Sequence, residues 1–179
     1  MQDYVPYMII GAMAAVLVAG TVVLARVAWR RQVGRYIITL TSHREGIVSA
    51  LKTTDSVVAS LAEGDAVALL EFTHPESDER QTLREIAERM RIEHGELKDI
   101  ALPRMLWTFA DMLCDAACLL ADQTGAVGEA NGEAVLDALL VWDITPVRTR
   151  LADAAVEAER MSKVYKVTDA SVYGGGLYI

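Results

Sequence analysis

The chain has 179 residues, enough for one domain with a sizeable core and too few for two comfortable ones. Its net charge of −8 hides a division: Arg26, Arg30, Arg31 and Arg35 follow an apolar run, while residues 36 to 179 hold 13 Lys and Arg against 24 Asp and Glu, a net of −11. Nucleic acid binding rests on basic side chains displacing counterions, so a body this acidic excludes nucleic acid as an expected partner.

The apolar run comes first. From Tyr4 to Ala25 there are 22 consecutive uncharged residues, where about 20 cross a bilayer as a helix. A cleaved export signal would place basic residues before a shorter apolar core and a small-x-small site after it. Here "MQDYVPY" carries Asp3 and no Lys or Arg, and Ala12-Met13-Ala14 falls inside the run. A buried globular helix would show a polar face, and this stretch offers only Thr21 and glycines. The expectation is a retained transmembrane anchor over residues 1–29, followed by a basic juxtamembrane segment, 30–35.

Arginines collect on the cytoplasmic side of membrane helices. The N-terminus is therefore expected outside and the rest in the cytoplasm, at a bacterial inner membrane, with Arg26, Arg30, Arg31 and Arg35 on lipid headgroups. Tyr4, Tyr7 and Trp29 suit the aromatic belts of the two interfaces. Gly11, Ala15 and Ala19 recur every four residues, a small-residue strip on which a partner helix, or that of a second copy, can pack closely.

Beyond the anchor the periodicity is helical throughout, so the fold expected is all-α: one N-terminal transmembrane helix and a four- or five-helix bundle over residues 36–166. Leu40, Ile47, Leu51, Val58 and Leu61 form the stripe of a first helix, Tyr36 to Glu63, continuous with the anchor unless Gly34 bends it. "Thr73-His74-Pro75-Glu76-Ser77-Asp78" reads as a turn, with Ser77 or Asp78 capping a second helix. That helix has Leu83, Ile86, Ala87, Met90 and Leu97 inward, and a solvated face of Arg80, Arg84, Glu85, Glu88, Arg89 and Arg91, with Glu85–Arg89 and Arg84–Glu88 spaced for ion pairs.

A third helix opens at Pro103 and runs to about Asp122. It is apolar over most of its circumference, through Leu106, Phe109, Leu113, Ala117 and Leu120 on one stripe and Trp107, Ala110, Cys114 and Cys118 on another. Such a helix must be covered on several sides, which points to the bundle centre, with a partner contact as the alternative. Residues 122–131, with two glycines, read as a flexible loop ending in Asn131 as a cap. A fourth helix follows and restarts at "Asp143-Ile-Thr-Pro146", with Thr145 as cap and Pro146 in the first position. The remainder, 167–179, is a glycine-rich tail whose end, Leu177, Tyr178 and Ile179, suits docking into a partner's sheet edge or backbone nest.

No motif names a reaction. Cys114 and Cys118 share one helical face, but structural zinc needs four ligands and His43, His74 and His94 are scattered, so the cysteines read as core thiols in a reducing compartment. Asp111 and Asp115 share a polar strip without a pocket to make them acid and base. Gly174-Gly175-Gly176 has no helix after it to bind phosphate. Neither metal nor cofactor is expected. The function these features suggest is a single-pass, membrane-anchored scaffold, adaptor or accessory subunit, not an enzyme. It would act by binding other membrane or cytoplasmic proteins through Trp107 and the tail. The competing expectation is a sensor or enzyme with a ligand near His94, Trp107, Cys114, Cys118 and Trp142.

Overall fold

The structure, a computed structural model, describes residues 5–167 except Glu133, with backbone alone for residues 5–12, 14 and 15. Among the described residues it is all-helical. Helix α1 spans Val5–Glu63, α2 Ala66–Thr73, α3 Asp78–Asp99, α4 Trp107–Glu129, α5 Ala134–Leu140 and α6 Thr145–Tyr165, with a 3₁₀ turn at Arg104–Leu106 before α4. The bundle expectation holds: α1, α3, α4 and α6 are its long members, and α2 and α5 close one end.

Helix α1 has 59 residues, hence a length of about 90 Å at 1.5 Å per residue. Its two halves differ in environment. From Val33 onward it belongs to the bundle, with Val33, Ile37, Leu40, Ile47 and Leu51 buried. From Val16 to Gln32 every residue is exposed. Gly34 does not interrupt it; the helix runs on through this residue, and a Cβ there would make ordinary contact, 3.6 Å, with Val167. Among the described residues no helix is long and apolar enough to cross a membrane. Much of the expected span lies in residues whose side chains are outside the described set, as do Gly11 and Ala15 of the small-residue strip; Ala19 is exposed.

At the far end of α1, Gly64 breaks the helix and Asp65 starts α2, accepting hydrogen bonds from the Val67 and Ala68 amides at 3.0 Å each. This short helix is not evident from periodicity, because about two turns are too brief to show it. Ser77 caps α3 as expected, accepting from the Arg80 amide. The inward stripe of α3 is as expected: Leu83, Ile86, Ala87, Met90 and Leu97 are all buried.

The solvated face is corrected at two residues, since Arg80 is 1% exposed and Arg84 half-buried. Arg84 Nη1 donates to the carbonyls of Pro75, at 2.8 Å, and Gly128, at 3.2 Å. Nor do the four-residue ion pairs form among the described residues; Glu88 pairs with Arg91 at 3.5 Å, and Arg91 reaches Glu129 of α4 at 2.8 Å.

Helix α4 is the bundle centre, packed against α1, α3, α5 and α6, with Phe109, Leu113, Ala116, Ala117 and Leu120 fully buried. Each such large side chain removed from water favours the fold by about 1.5–3 kcal/mol. The flexible loop expected over 122–131 is corrected: α4 continues to Glu129. Its glycines serve packing, because Gly125 and Gly128 are buried against α3.

The chain then turns through Gly132, at φ +57°. There Asn131 supplies its carbonyl, not its side chain, to the Ala134 amide. Thr145 is also reassigned: it is the first residue of α6, Ile144 stands in the cap position, and Asp143, one residue earlier, accepts from the Thr145 amide through Oδ1 at 2.8 Å. That hydrogen bonding holds the Asp143 carboxyl below its usual pKa.

Antiparallel packing gives the bundle two ends. His43 on α1 meets Glu93 on α3, and Asp55 on α1 meets Arg148 at the start of α6. The proximal end, where the exposed half of α1 enters, holds Gly34, the α3–α4 connection and the end of α6, tied by Val167 beside Gly34 and by the Tyr165 hydroxyl donating to Met105 Sδ at 2.6 Å. The distal end holds α2 and α5 on a second small core of Phe72, Leu83, Val127 and Val135.

Candidate functional site

Charge follows these two ends. Residues 30–37, 96–107 and 159–167, which build the proximal end, carry eight Lys and Arg and three Asp and Glu. Residues 55–79, which run across the distal end, carry seven Asp and Glu and no Lys or Arg. The acidic excess read from the whole chain is thus concentrated away from the exposed half of α1. The four arginines of the expected headgroup contact, Arg26, Arg30, Arg31 and Arg35, are all exposed.

The distal end is also apolar where it faces outward. Val67 and Leu70 of α2 and Leu136 and Leu140 of α5 are exposed, Leu140 at 84%, with Val141 next to it at 74%. A two-turn helix with mean apolar character usually turns most of its large side chains inward; α2 buries only Phe72.

Between α3 and α4 runs an open groove of about 540 Å³, lined among others by His94, Lys98, Trp107, Asp111, Cys114 and Cys118. It unites four of the five residues expected around a ligand. The fifth, Trp142, is elsewhere, packed on the distal core. The groove is a surface feature, with the filled core of Phe109 and Leu113 beneath it. Trp107 is half exposed, donating its indole N–H to the Leu102 carbonyl at 3.0 Å, with the Arg104 guanidinium 5.8 Å over its ring.

The surroundings of both thiols favour the protonated form. Burial, then the neighbouring Asp111, push Cys114 above the usual thiol pKa, and burial, then Asp122, do the same for Cys118. Thiolate is the nucleophile and the metal ligand, so a raised pKa lowers reactivity at neutral pH. Alkylation of both cysteines by iodoacetamide at pH 7 is accordingly expected to be slower than that of free cysteine and to accelerate at higher pH. Labelling as fast as the free amino acid would contradict this.

Among the described residues one group could face a metal: His43, Glu93 and Glu96, whose ligand atoms lie within 4.8 Å of one another. His43 Nδ1 and Glu93 Oε1 already satisfy each other at 2.6 Å, and the Arg89 guanidinium shares the space beside Gly46 with that carboxylate. The pair joins α1 to α3. Sequence reasoning missed it because 50 residues separate its members. Asp111 stays exposed and Asp115 faces Arg150 at 3.4 Å, an arrangement of surface charge. The docking residues Leu177, Tyr178 and Ile179 lie outside the described residues.

Compared with protein families, curated proteins and solved structures, the chain matches none.

Proposed function

We propose that the protein is a membrane-anchored helical adaptor, held in a bilayer by the N-terminal half of α1 and binding a partner protein with the distal end of its bundle. The observation that carries this reading is the exposure of an apolar helix on every side. Val16, Leu17, Val18, Val22, Val23, Leu24 and Val27 are all 44–72% exposed, on a helix with no bundle around it. Seven such residues left in water cost on the order of 10 kcal/mol relative to burial. Lipid removes that cost without any partner helix. The projecting part, residues 5–32, is about 40 Å long, enough for a hydrocarbon core of about 30 Å plus one headgroup layer. The arginines that follow favour an orientation with the bundle in the cytoplasm.

The distal end then faces away from the bilayer, and its exposed Val67, Leu70, Leu136, Leu140 and Val141 among acidic residues suit a partner with an apolar, basic-rimmed surface.

The test is purification from native membranes in mild detergent, in parallel for the wild type and a Leu70→Asp/Leu140→Asp variant, whose changes fall on exposed positions. Expected is retention of both proteins in the membrane fraction after an alkaline wash. A companion in fixed ratio is expected with the wild type and is lost from the variant. Release of the wild type by the alkaline wash would overturn the anchor, and an unchanged companion on the variant would overturn the distal docking face.

A further inference from the structure

We infer that the proximal end of the bundle is a second membrane contact: the α3–α4 connection, with Trp107, Met105 and Arg104, lies against an anionic lipid leaflet and fixes how the bundle stands on the membrane. The inference rests on the anchor reading above, and goes beyond it by assigning a lipid-binding surface to the folded domain itself.

Position is the first argument. The Tyr165–Met105 contact and the packing of Val167 beside Gly34 put the α3–α4 connection level with the first buried turn of α1. From Arg26, the first charge after the apolar run, to Gly34 is eight residues, about 12 Å along a helix. Membrane helices tilt by about 20° on average, which lowers one side of a bundle carried on a continuous helix by several ångströms. Because α1 passes through Gly34 without a break, that tilt is transmitted to the bundle.

Chemistry is the second. Met105 and Trp107 are partly exposed and present apolar surface at this end. Trp107 presents a ring with an apolar body while its N–H is already satisfied by Leu102, so the ring enters the headgroup boundary with no unpaired donor. Arg104, stacked over that ring, and Lys98, beside the groove, supply positive charge from the same patch. At the end of α6, Lys163 and Lys166 add two more; Lys163 is shared with Glu159 at 2.6 Å, and Lys166 is exposed. The acids of this end, Glu96, Asp99 and Glu159, are outnumbered by the eight bases. The opposite end carries the reverse charge, so an anionic surface orients the bundle with the proximal end down.

The experiment uses the full chain in vesicles of phosphatidylglycerol and phosphatidylcholine whose acyl chains are brominated close to the glycerol, a quencher of tryptophan emission. Three variants each keep a single tryptophan: Trp29, Trp107 or Trp142, the others changed to Phe, with helicity by circular dichroism checking that each is folded. Expected is loss of emission for Trp29 and Trp107 and none for Trp142, which belongs to the distal end. In the Trp107-only chain, Lys163→Glu/Lys166→Glu, which leaves the ring's own surroundings intact, is expected to restore part of the emission.

Quenching of Trp29 without quenching of Trp107 would overturn the lipid contact and leave the anchor standing. If Trp107 is then also blue-shifted, a protein covers it instead. No quenching of either would remove the anchor and this inference together. Quenching of Trp107 that is indifferent to both the lysine reversal and the omission of phosphatidylglycerol would overturn the anionic surface as the occupant.

Discussion

Replacing Arg80 by alanine is expected to destabilise the bundle by about 3–4 kcal/mol, lowering the melting temperature by roughly 10 °C. The guanidinium is buried, donating from Nη1 to the Thr73 carbonyl at 3.2 Å and from Nη2 to the carbonyls of Gly128, at 3.1 Å, and Ala130. Thr73 is the last residue of α2, and Gly128 and Ala130 close α4. One cation thus occupies the negative ends of two helices and satisfies carbonyls that have no partner within them.

Among the described residues no carboxylate pairs with Arg80, and its Nε finds no acceptor. Burial, and next the charge of Arg84, lower its pKa from the ordinary arginine value. Those are costs, and the three carbonyls must offset them. Alanine would leave the Thr73 and Ala130 carbonyls without this donor beside a cavity, and the Gly128 carbonyl with Arg84 alone. Arg80→Met, which fills the space without donating, should fall between alanine and wild type. The check is thermal and urea unfolding of the full chain in detergent; a shift below about 2 °C for alanine would mean that water or a neighbour replaces the guanidinium at little cost.

Arg80 also marks where the sequence misleads. Its four-residue neighbours are charged, so a helical wheel assigns it to water. Only the fold brings the ends of α2 and α4, 48 to 50 residues away in the case of α4, onto its guanidinium. The legible parts were those with long periodicity: the inward stripe of α3, the central position of α4, and the cap at Ser77. Residues 122–131 failed for a different reason. Glycine weakens a helix by about 1 kcal/mol in isolation, and two of them with Gln, Thr and Asn resemble a loop until the partner helix that needs them is known. The sites were partly legible. His94, Trp107, Cys114 and Cys118 do converge on one groove because spacings of seven and four residues on α4 put three of them on one face, whereas the charge division between the two ends depends on antiparallel packing that composition cannot reveal.

Gly125 and Gly128 offer the sharpest test of that packing, because the same substitution should destabilise at one and not at the other, three residues apart. A Cβ on Gly128 would lie 2.9 Å from Arg84 Cγ, 3.0 Å from the Arg84 amide nitrogen and 3.4 Å from its Cα. Two of those atoms are backbone, so α3 and α4 must separate, and the Gly128 carbonyl, which serves both Arg80 and Arg84, moves with them. Even after the gain in helix propensity, Gly128→Ala is expected to cost about 2 kcal/mol.

A Cβ on Gly125 would also meet an atom at 2.9 Å, but that atom is Arg91 Nη2, the far end of a half-exposed side chain that can turn aside; its next neighbour, Ala87 Cβ, is at an ordinary 3.6 Å. Gly125→Ala should therefore be neutral or stabilising by up to about 1 kcal/mol. Urea midpoints of the two variants measured side by side decide the matter. If both destabilise alike, the glycines are needed for some property of α4 itself, and close approach of α3 to Gly128 is not what holds this end of the bundle together.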